Sequence, residues 1–315
     1  MTGASGLVGS WLSRALLEEG AAVVCLVRST DPQSELFRAG TAIHCSIVNG
    51  AVDDLAVVKR AIAHQRVDTV FHAAAQSQVR VAYRDPFQTF ESNVRGTYTL
   101  LEACRLNRDL VERIVVASSD KAYGDAETLP YTEETPLRAV FPYDASKAAG
   151  ETVARSYAAT YGLPIAIARC ANIFGGGDLN WDRLIPGTIR SLLGGERPII
   201  RSNGMLVRDY LYVRDAVRAY LTLGEACSRQ DVTNQAFNFS MSEPLTVLDV
   251  VGRLQRTMGT ALEPEIRAEH VAEIESQHLS SAKARAVLGW TPQFALDDAL
   301  KETVGWYRQY LAGQA

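Results

Sequence analysis

The sequence lacks the features that mark several classes of protein. No apolar run approaches the roughly 20 residues of a membrane-spanning helix, and the opening residues MTGASG do not resemble a secretory signal. No dense run of Lys and Arg is present and the net charge is −4, so neither a membrane nor a nucleic acid is expected as a partner. The five cysteines are scattered without a CxxC pair. They predict reduced thiols, no metal site and a cytoplasmic location.

What is present is typical of a globular α/β protein. Apolar residues make up 47% and charged residues 22% of the 315 residues, which is enough to bury a sizeable core. Short apolar runs alternate with segments of helical periodicity. The strand-like runs are 21–27, 68–75, 113–118 and 164–170, and the helical segments are 9–20, 54–65, 86–107 and 143–162. This alternation predicts an α/β fold with a Rossmann-type, doubly wound parallel sheet.

Beyond about residue 175 the pattern loosens into loops rich in Gly, Pro and Arg. Helical segments return at 213–228 and 246–259, and a last helix begins near Leu296. We therefore expect a dinucleotide-binding domain of residues 1–175, to which 205–235 returns. Residues 176–204 and 236–315 are expected to form a smaller, interleaved substrate-binding region.

The stretch TGASGLVGSWL has glycines in GxxGxxG spacing and runs into a helix. Glycines allow backbone N–H groups and the helix N-terminus to approach a pyrophosphate, so the loop predicts a dinucleotide site. The expected contact residues are Gly3, Ser5, Gly6, Leu7, Val8 and Gly9. The strand that should precede this loop is almost absent. Either the chain start is truncated or the central strand is unusually short. Because a sheet without its central strand leaves backbone groups unpaired, the truncated start is preferred.

The second strand-like run ends in VCLVRST. An acidic residue at this point would bind the adenine-ribose 2′-hydroxyl of NAD, whereas an arginine accommodates the 2′-phosphate of NADP. Arg28 stands here and Asp31 follows it. NAD is the expected cofactor, and Arg28 keeps NADP open; a simple surface arginine explains the residue equally well.

The segment PYDASK contains Tyr143 and Lys147 at the start of a helical segment. Spacing i, i+4 places both side chains on one helix face. A nearby ammonium stabilises a phenolate, so Lys147 is expected to lower the pKa of Tyr143. Such a tyrosine moves a proton to or from a sugar hydroxyl while hydride moves to a nicotinamide. Ser118 and Ser119, one strand earlier, supply the hydroxyl partner that this chemistry needs.

The segment SSDKAYGD follows an apolar strand-like run and places Asp120 beside Lys121. One explanation is a helix cap or a solvated turn. The other is a general acid and a general base that act on one substrate. Neighbours in a strand face opposite ways, so both reach one substrate only if the backbone leaves strand geometry. The residues AYGD indicate such a turn.

Seven stretches in this order resemble the extended short-chain dehydrogenase/reductase family, in its nucleotide-sugar epimerase/dehydratase branch. They are TGASGLVGSWL, VFHAAAQ, ESNVRGTYTLLEA, SSDKAYGD, PYDASK, ARCANIFGGG and VRDYLYVRDAV. The resemblance covers nearly the whole chain and implies an NAD(P)-dependent enzyme. For the cofactor it implies contacts from Ala73, Ala74, Ala75, Ser118 and Cys170, with Asn93 supporting the active-site helix. Ala51 and Val52 stand where the family often has an aspartate near adenine.

The resemblance also implies a set of substrate contacts. Asn172 and Arg208 would bind the substrate diphosphate, and Arg208 is suited to a bidentate clamp. An ion pair of Arg208 with Asp209 or Asp215 is the alternative. Further expected contacts to the nucleotide sugar are Gln78, Arg80, Ser119 and Arg183. The stretch EIESQHLSS lacks an arginine that the family often has there, so recognition of the nucleotide base is open.

The adjacent Asp120 and Lys121 look most like CDP-glucose 4,6-dehydratases. In that reading Tyr143 helps to oxidise C4, Lys121 removes the C5 proton, and Asp120 protonates the departing C6 oxygen. The product is a 4-keto-6-deoxy sugar nucleotide. The alternatives are a UDP-hexose-type 4-epimerase, which uses the same Tyr143 and Lys147, and a non-catalytic nucleotide-sensing protein on the same fold.

The helical segments 86–107 and 143–162 resemble the pair that family members use in a four-helix dimer interface. A homodimer is therefore expected. The apolar positions of both segments fit burial in the core of one chain equally well.

Overall fold

A parallel sheet lies at the centre of the molecule. The structure is a computed structural model that describes residues 1–269 and 274–313. Its strands are β1 (Val24–Val27), β2 (Ser46–Asn49), β3 (Thr69–His72), β4 (Arg113–Ala117), β5 (Ile165–Cys170), β6 (Asn172–Phe174), β7 (Ile199–Ile200), β8 (Val207–Arg208), β9 (Tyr210–Tyr212), β10 (Ala236–Phe239), β11 (Leu245–Thr246), β12 (Glu265–Ile266) and β13 (Ser276–Gln277).

Helices connect these strands. They are α1 (Leu7–Glu18), α2 (Glu35–Arg38), α3 (Leu55–Gln65), α4 (Val79–Arg84), α5 (Pro86–Phe90), α6 (Gly96–Leu106), α7 (Pro142–Tyr161), α8 (Leu184–Leu193), α9 (Val213–Ala226), α10 (Val247–Met258), α11 (Ala282–Leu288) and α12 (Leu296–Ala312). Short 3₁₀ helices cover Thr41–His44 and Asp120–Tyr123, and a π-helical turn, Glu91–Arg95, separates α5 from α6. No helix in the described ranges is long and apolar enough to cross a membrane.

The first two residues join the strands into one sheet. Strands β10, β5, β4 and β3 pair in that order, and β1 pairs with β2, in each case in parallel. Thr2 forms bridges to both Leu26 of β1 and His72 of β3. The Thr2 N–H donates to the Phe71 carbonyl at 3.0 Å, and the Leu26 N–H donates to the Met1 carbonyl at 2.9 Å. Met1 and Thr2 are therefore bonded on both sides and take the place of a very short central strand.

Alternate residues of the strands face two separate cores, because successive side chains of a strand point to opposite faces. On one face Val70, Ile114 and Ile165 pack with Val58 of α3 and Leu100 of α6. On the other face Phe71, Val115 and Ala166 pack with Leu12 of α1 and Val217 of α9. Helices thus cover both faces, as the buried, continuously apolar strands require. The predicted doubly wound α/β fold is confirmed.

The predicted strands correspond to β1, β3, β4 and β5, and β2 was not predicted. Strand β2 was missed because Ser46–Asn49 is short and has a polar, exposed residue at each end. The predicted helix over 86–107 is interrupted by the π-helical turn.

The C-terminal part contributes small sheets and a third core. Strand β6 pairs with β9, β7 pairs with β12, and β8 lies between β11 and β13. Helices α8, α10 and α12 enclose a cluster that includes Ile189, Leu254 and Leu300. Strand β10 belongs to the central sheet beside β5, although the sequence analysis assigns residues after 235 to the substrate-binding region. The division into two interleaved regions remains a prediction.

A substitution at Gly3 would show how tightly the start of α1 packs on the sheet. Its φ is +70°, and a Cβ there would lie 2.6 Å from the Ala73 carbonyl carbon. Gly20 has φ +82° and no atom within 4 Å of such a Cβ. Both Gly→Ala changes carry left-handed strain of about 1–3 kcal/mol, and only Gly3→Ala adds an overpacking cost of about 1–3 kcal/mol. Urea denaturation should find Gly3→Ala clearly less stable than Gly20→Ala, and equal stabilities would contradict this packing.

Candidate active site

The glycine loop leaves the N-terminus of α1 open. The Gly6 N–H donates to the Gly3 carbonyl at 3.0 Å, and a Cβ on Gly9 would overlap that carbonyl oxygen. The N-cap residue, Gly6, provides no side-chain cap, and the first turn contains no acidic residue. Ser5, Leu7 and Val8 complete the loop and the first turn. The free N–H groups and the helix dipole therefore favour an anion at this end.

The carboxyl ends of the parallel strands bring most of the predicted cofactor residues to the same edge of the sheet. Exposed Arg28 follows β1, Ser118 follows β4, and buried Cys170 ends β5. Two further sets follow β2 and β3: Ala51 with Val52, and Ala73, Ala74 and Ala75. Crevices at this edge are where open α/β sheets bind ligands.

Asn93 connects this edge to α7. It lies in the π-helical turn, is buried, and accepts from the Gln76 N–H at 2.7 Å. Its amide donates to the Gln76 carbonyl at 3.1 Å and to Ser146 Oγ at 2.8 Å. One side chain thus holds together the loop after β3 and the first turns of α7, the arrangement that the family resemblance implies.

Tyr143 and Lys147 share one face of the first turns of α7, as predicted. Lys147 Nζ donates to the Ala117 carbonyl at 2.9 Å, and burial lowers the pKa of Lys147 to about 8. Burial raises the pKa of Tyr143 to about 12. The Arg183 charge and a hydrogen bond with Ser119 lower this pKa, but by less than burial raises it. The expected lowering of the Tyr143 pKa by Lys147 is wrong for this structure. The ammonium is directed to a backbone carbonyl, and the burial cost dominates.

The chain leaves strand geometry directly after β4. Ser119 is still extended (φ −158°, ψ 157°), and the 3₁₀ helix begins at Asp120. Ser119 Oγ accepts from the Lys121 N–H at 3.2 Å and donates to Asp120 Oδ1 at 2.9 Å. Asp120 is only 2% exposed and Lys121 is half-buried. The predicted turn is confirmed, and Asp120 is buried within it rather than solvated.

Two buried polar atoms at this turn have no hydrogen-bond partner among the described residues. They are Ser118 Oγ and Asp120 Oδ2. Such groups carry a large desolvation cost, so they are typical of sites that bind a polar ligand. Both atoms lie at the carboxyl end of β4, on the edge that carries the glycine loop.

Two carboxylates that the sequence analysis missed lie near this turn. Burial raises the pKa of Asp144 to about 6; Asp120 raises it further, whereas Lys121 and Arg208 lower it. Burial likewise raises the pKa of Asp209 to about 6, and the charge of Asp120 also raises it. Asp144 stands beside Tyr143 in PYDASK, which was the available signal. Gln277 was also missed: its amide contacts both Asp120 and Lys121.

The predicted diphosphate residues lie on two separate small sheets, Asn172 on β6 and Arg208 on β8. Arg208 is buried, and its Nη1 donates to the Val207 carbonyl at 2.8 Å. The suggested ion-pair partners are engaged elsewhere: Asp209 accepts from the Leu279 N–H at 3.1 Å, and Asp215 pairs with Arg218 at 3.1 Å. The Asn172 amide donates to the Asp209 carbonyl at 3.0 Å.

The other predicted substrate residues separate into two groups. Arg183 is the N-cap residue of α8, pairs with Asp178 at 3.1 Å, and is close enough to Tyr143 to lower its pKa. Gln78 and Arg80 are exposed at the start of α4, and Arg80 lies 4.0 Å from Asp182. The structure therefore brings Arg183 to the tyrosine and leaves Gln78 and Arg80 at the surface.

The residues present fit a bound dinucleotide. The evidence is the close packing of the glycine loop on the sheet, the uncapped N-terminus of α1 and the unpartnered Ser118 Oγ. No group of three or more His, Cys, Asp or Glu residues in the described ranges is arranged to hold a metal ion.

Such a loop and such a Tyr–Lys pair, at the carboxyl edge of a doubly wound sheet, define a dinucleotide-dependent enzyme of the short-chain dehydrogenase/reductase type. The model of the "NAD dependent epimerase/dehydratase family" matches residues 1–239. The chain belongs to this family.

Both named activities of the family occur among similar proteins. The chain is 30% identical to the CDP-glucose 4,6-dehydratase of Salmonella typhimurium, covering 100% of this chain and 91% of that protein. The dTDP-glucose 4,6-dehydratase of Streptomyces venezuelae, solved with NAD bound, has a TM-score of 0.88 at 28% identity, covering 98% and 96%. The UDP-glucose 4-epimerase of Thermotoga maritima has a TM-score of 0.89 at 27% identity, covering 98% of each chain.

The raised pKa of Asp144 predicts a specific dependence of stability on pH. The folded pKa of about 6 exceeds the ordinary 3.8, so the folded state binds the proton more tightly. The stabilisation from this carboxyl is present below about pH 4 and is lost as the pH rises through about 6. Asp144→Asn should exceed the wild type in unfolding free energy by on the order of 1–3 kcal/mol at pH 7.5, and match it near pH 4.

Urea denaturation across this pH range measures the effect. Asp109→Asn, at an exposed position, is the control and should differ from the wild type by the same amount at every pH. An Asp144→Asn difference that does not change with pH would contradict the burial of this charge.

Proposed function

We propose that the protein is a nucleotide-diphospho-sugar 4,6-dehydratase, with a CDP-glucose-like substrate favoured. The observation that carries the proposal is the turn after β4. It holds a buried carboxylate, Asp120, close to the phenol of Tyr143, and next to it the amine of Lys121. A 4-epimerase needs the phenol, whereas only a dehydratase needs the additional acid and base.

The proposed reaction begins at the C4 hydroxyl of the hexose. Tyr143 Oη accepts its proton, and the Arg183 charge and the Ser119 hydrogen bond favour the phenolate against the cost of burial. A bound nicotinamide dinucleotide would supply the redox chemistry, accepting hydride from C4 and giving it back to C6, while Lys121 would return a proton to C5. The Lys147 ammonium, which donates to the Ala117 carbonyl, would also hold the nicotinamide ribose.

Elimination follows from the acidity of the carbon next to the new ketone. Lys121 Nζ removes the C5 proton, and the C5–H electron pair forms the C5–C6 double bond. Asp120 protonates the C6 hydroxyl, so the C6–O bond breaks and water leaves. The unpartnered Asp120 Oδ2 is the atom assigned to this proton transfer.

The same proposal assigns the binding contacts. The cofactor set is Gly3, Ser5, Gly6, Leu7, Val8, Gly9, Ala51, Val52, Ala73, Ala74, Ala75, Asn93, Ser118 and Cys170, with NAD as the cofactor and Arg28 as the feature that favours NADP. Arg208 and Asn172 would bind the substrate diphosphate, and Arg183 would contact the nucleotide sugar near Tyr143. Gln78 and Arg80 remain candidates at the rim.

The second candidate function is a nucleotide-sugar 4-epimerase. Its support is the TM-score of 0.89 to an epimerase, which is practically the same as the TM-score of 0.88 to a dehydratase. Fold similarity therefore does not separate the two activities. The Asp120–Lys121 pair is the reason for preferring dehydration.

To distinguish dehydration from epimerisation, the protein and its dinucleotide are incubated with CDP-, dTDP- and UDP-glucose. We expect a 4-keto product lighter than its substrate by one water, identified by mass spectrometry and NMR. Asp120→Asn should lower the rate of water loss roughly 10²–10⁴-fold, because a general acid is removed. Reduction of the nicotinamide, followed by absorbance, should persist.

Asp125→Asn is the matched control, since Asp125 is an exposed carboxylate five residues further along the same loop; its turnover should equal that of the wild type. Products inverted at C4 without loss of water would favour the epimerase. Full dehydration by Asp120→Asn would refute the acid role.

We further propose a homodimer formed through α5, α6 and α7, in a reduced, cytoplasmic setting that suits the five free thiols. The support is a set of exposed apolar side chains on these helices: Phe87, Phe90, Tyr98, Leu106 and Tyr161. Patches of this kind mark interaction surfaces.

Sedimentation velocity tests the dimer. The wild type should sediment as a dimer, and Phe87→Asp should weaken association at least about tenfold, because a charge would be buried without a partner. Ile43→Asp changes another strongly exposed apolar residue, on the 3₁₀ helix Thr41–His44, and should stay dimeric. A wild type that is monomeric at micromolar concentration would contradict the proposal.

A further inference from the structure

Gln277 lies in β13 and uses both ends of its side-chain amide. The residue is fully buried. Its Nε2 donates to the Asp120 carbonyl at 2.9 Å, and its Oε1 accepts a hydrogen bond from Lys121 Nζ. A residue from the C-terminal part therefore contacts both members of the acid–base turn.

The contacts define the orientation of the amide. A flipped amide would place its N–H groups against the Lys121 ammonium and its oxygen against the Asp120 carbonyl oxygen, and both contacts would be repulsive. The carbonyl holds one N–H of the amine whether the amine is charged or neutral. It adds no net charge, so unlike a carboxylate it does not fix the amine in its protonated form.

Strand pairing connects Gln277 to the proposed diphosphate contact. Strand β13 runs parallel to β8, and Gln277 is in register with Arg208. Other charged groups face Lys121 from neighbouring elements. Asp120 is in the same turn, and Asp144 approaches from α7 and interacts with both Lys121 and Arg208.

We propose that Gln277 is the positioning residue for Lys121: its neutral carbonyl holds the amine at one place over the sugar while leaving it free to lose and regain a proton. Through β13 and β8, the base is also held at a fixed distance from the residue that binds the diphosphate. This inference rests on the proposed dehydratase function. It adds a residue outside the dinucleotide-binding half as a determinant of the elimination step.

Kinetics of two variants test the role. Gln277→Met removes the polar contacts at similar volume. We expect kcat for dehydration to fall at least about tenfold with KM changed less than about threefold, and reduced cofactor to accumulate before elimination. Gln277→Glu places a carboxylate on the amine, which raises the lysine pKa. The acidic limb of the kcat/KM profile should therefore move to higher pH by about one unit or more.

A second contact between a glutamine and a lysine supplies the control for these variants. Gln235 Oε1 accepts from Lys283 Nζ at 2.8 Å, away from the acid–base turn. Gln235→Met and Gln235→Glu change the same chemistry there. Both should retain the wild-type kcat and pH profile.

NMR gives a readout that does not depend on turnover. The chain has five lysines, so ¹³C-lysine resonances are few, and a Lys121→Arg variant assigns the one of interest. Gln277→Glu should raise the measured Lys121 pKa by about one unit or more, and Gln235→Glu should leave it unchanged. An identical Lys121 titration in the wild type and Gln277→Glu, or an unshifted pH profile, overturns the role of Gln277. A wild type that dehydrates no nucleotide sugar overturns the proposed function instead, whatever Lys121 does.

Discussion

The turn at Ser119–Lys121 is the constraint on which the proposed chemistry depends. Strand β4 delivers the chain to the carboxyl edge of the sheet, but neighbours in a strand point to opposite faces. The 3₁₀ helix from Asp120 to Tyr123 removes that restriction. It buries the carboxylate of Asp120 close to the phenol of Tyr143, and it lets the amine of Lys121 meet Gln277. Without this turn, one of the two groups would face the other side of the sheet.

Burial of so many charged groups has a stability cost, which their mutual contacts reduce. Burial alone raises the pKa of Asp144 and Asp209 and lowers that of Lys147. Lys121 and Arg208 act in the opposite direction on Asp144. Sites that bind charged ligands commonly retain such destabilising arrangements. The cores on the two faces of the sheet and around α12 provide the stability that tolerates them.

The sequence predicted the sheet because its strands are continuous apolar runs with helical segments between them. It predicted the turn after β4 from AYGD, and it placed the glycine loop and the Tyr143–Lys147 pair on their elements. It did not predict β2, which is short and polar. It did not identify Gln277 either, because that contact spans 156 residues and arises only when β13 pairs with β8. The direction of the Tyr143 pKa was also wrong, since burial cannot be read from spacing.

The fate of the C4 hydrogen tests the elimination mechanism most directly. A nucleotide glucose deuterated at C4 is incubated with the protein in ordinary water, and the product is examined by NMR. The elimination mechanism predicts deuterium in the C6 methyl group of a 4-keto-6-deoxy sugar, with a solvent-derived proton at C5. Deuterium that stays at C4, with that centre inverted and the C6 hydroxyl intact, would contradict it and leave Asp120 and Lys121 without a role in elimination.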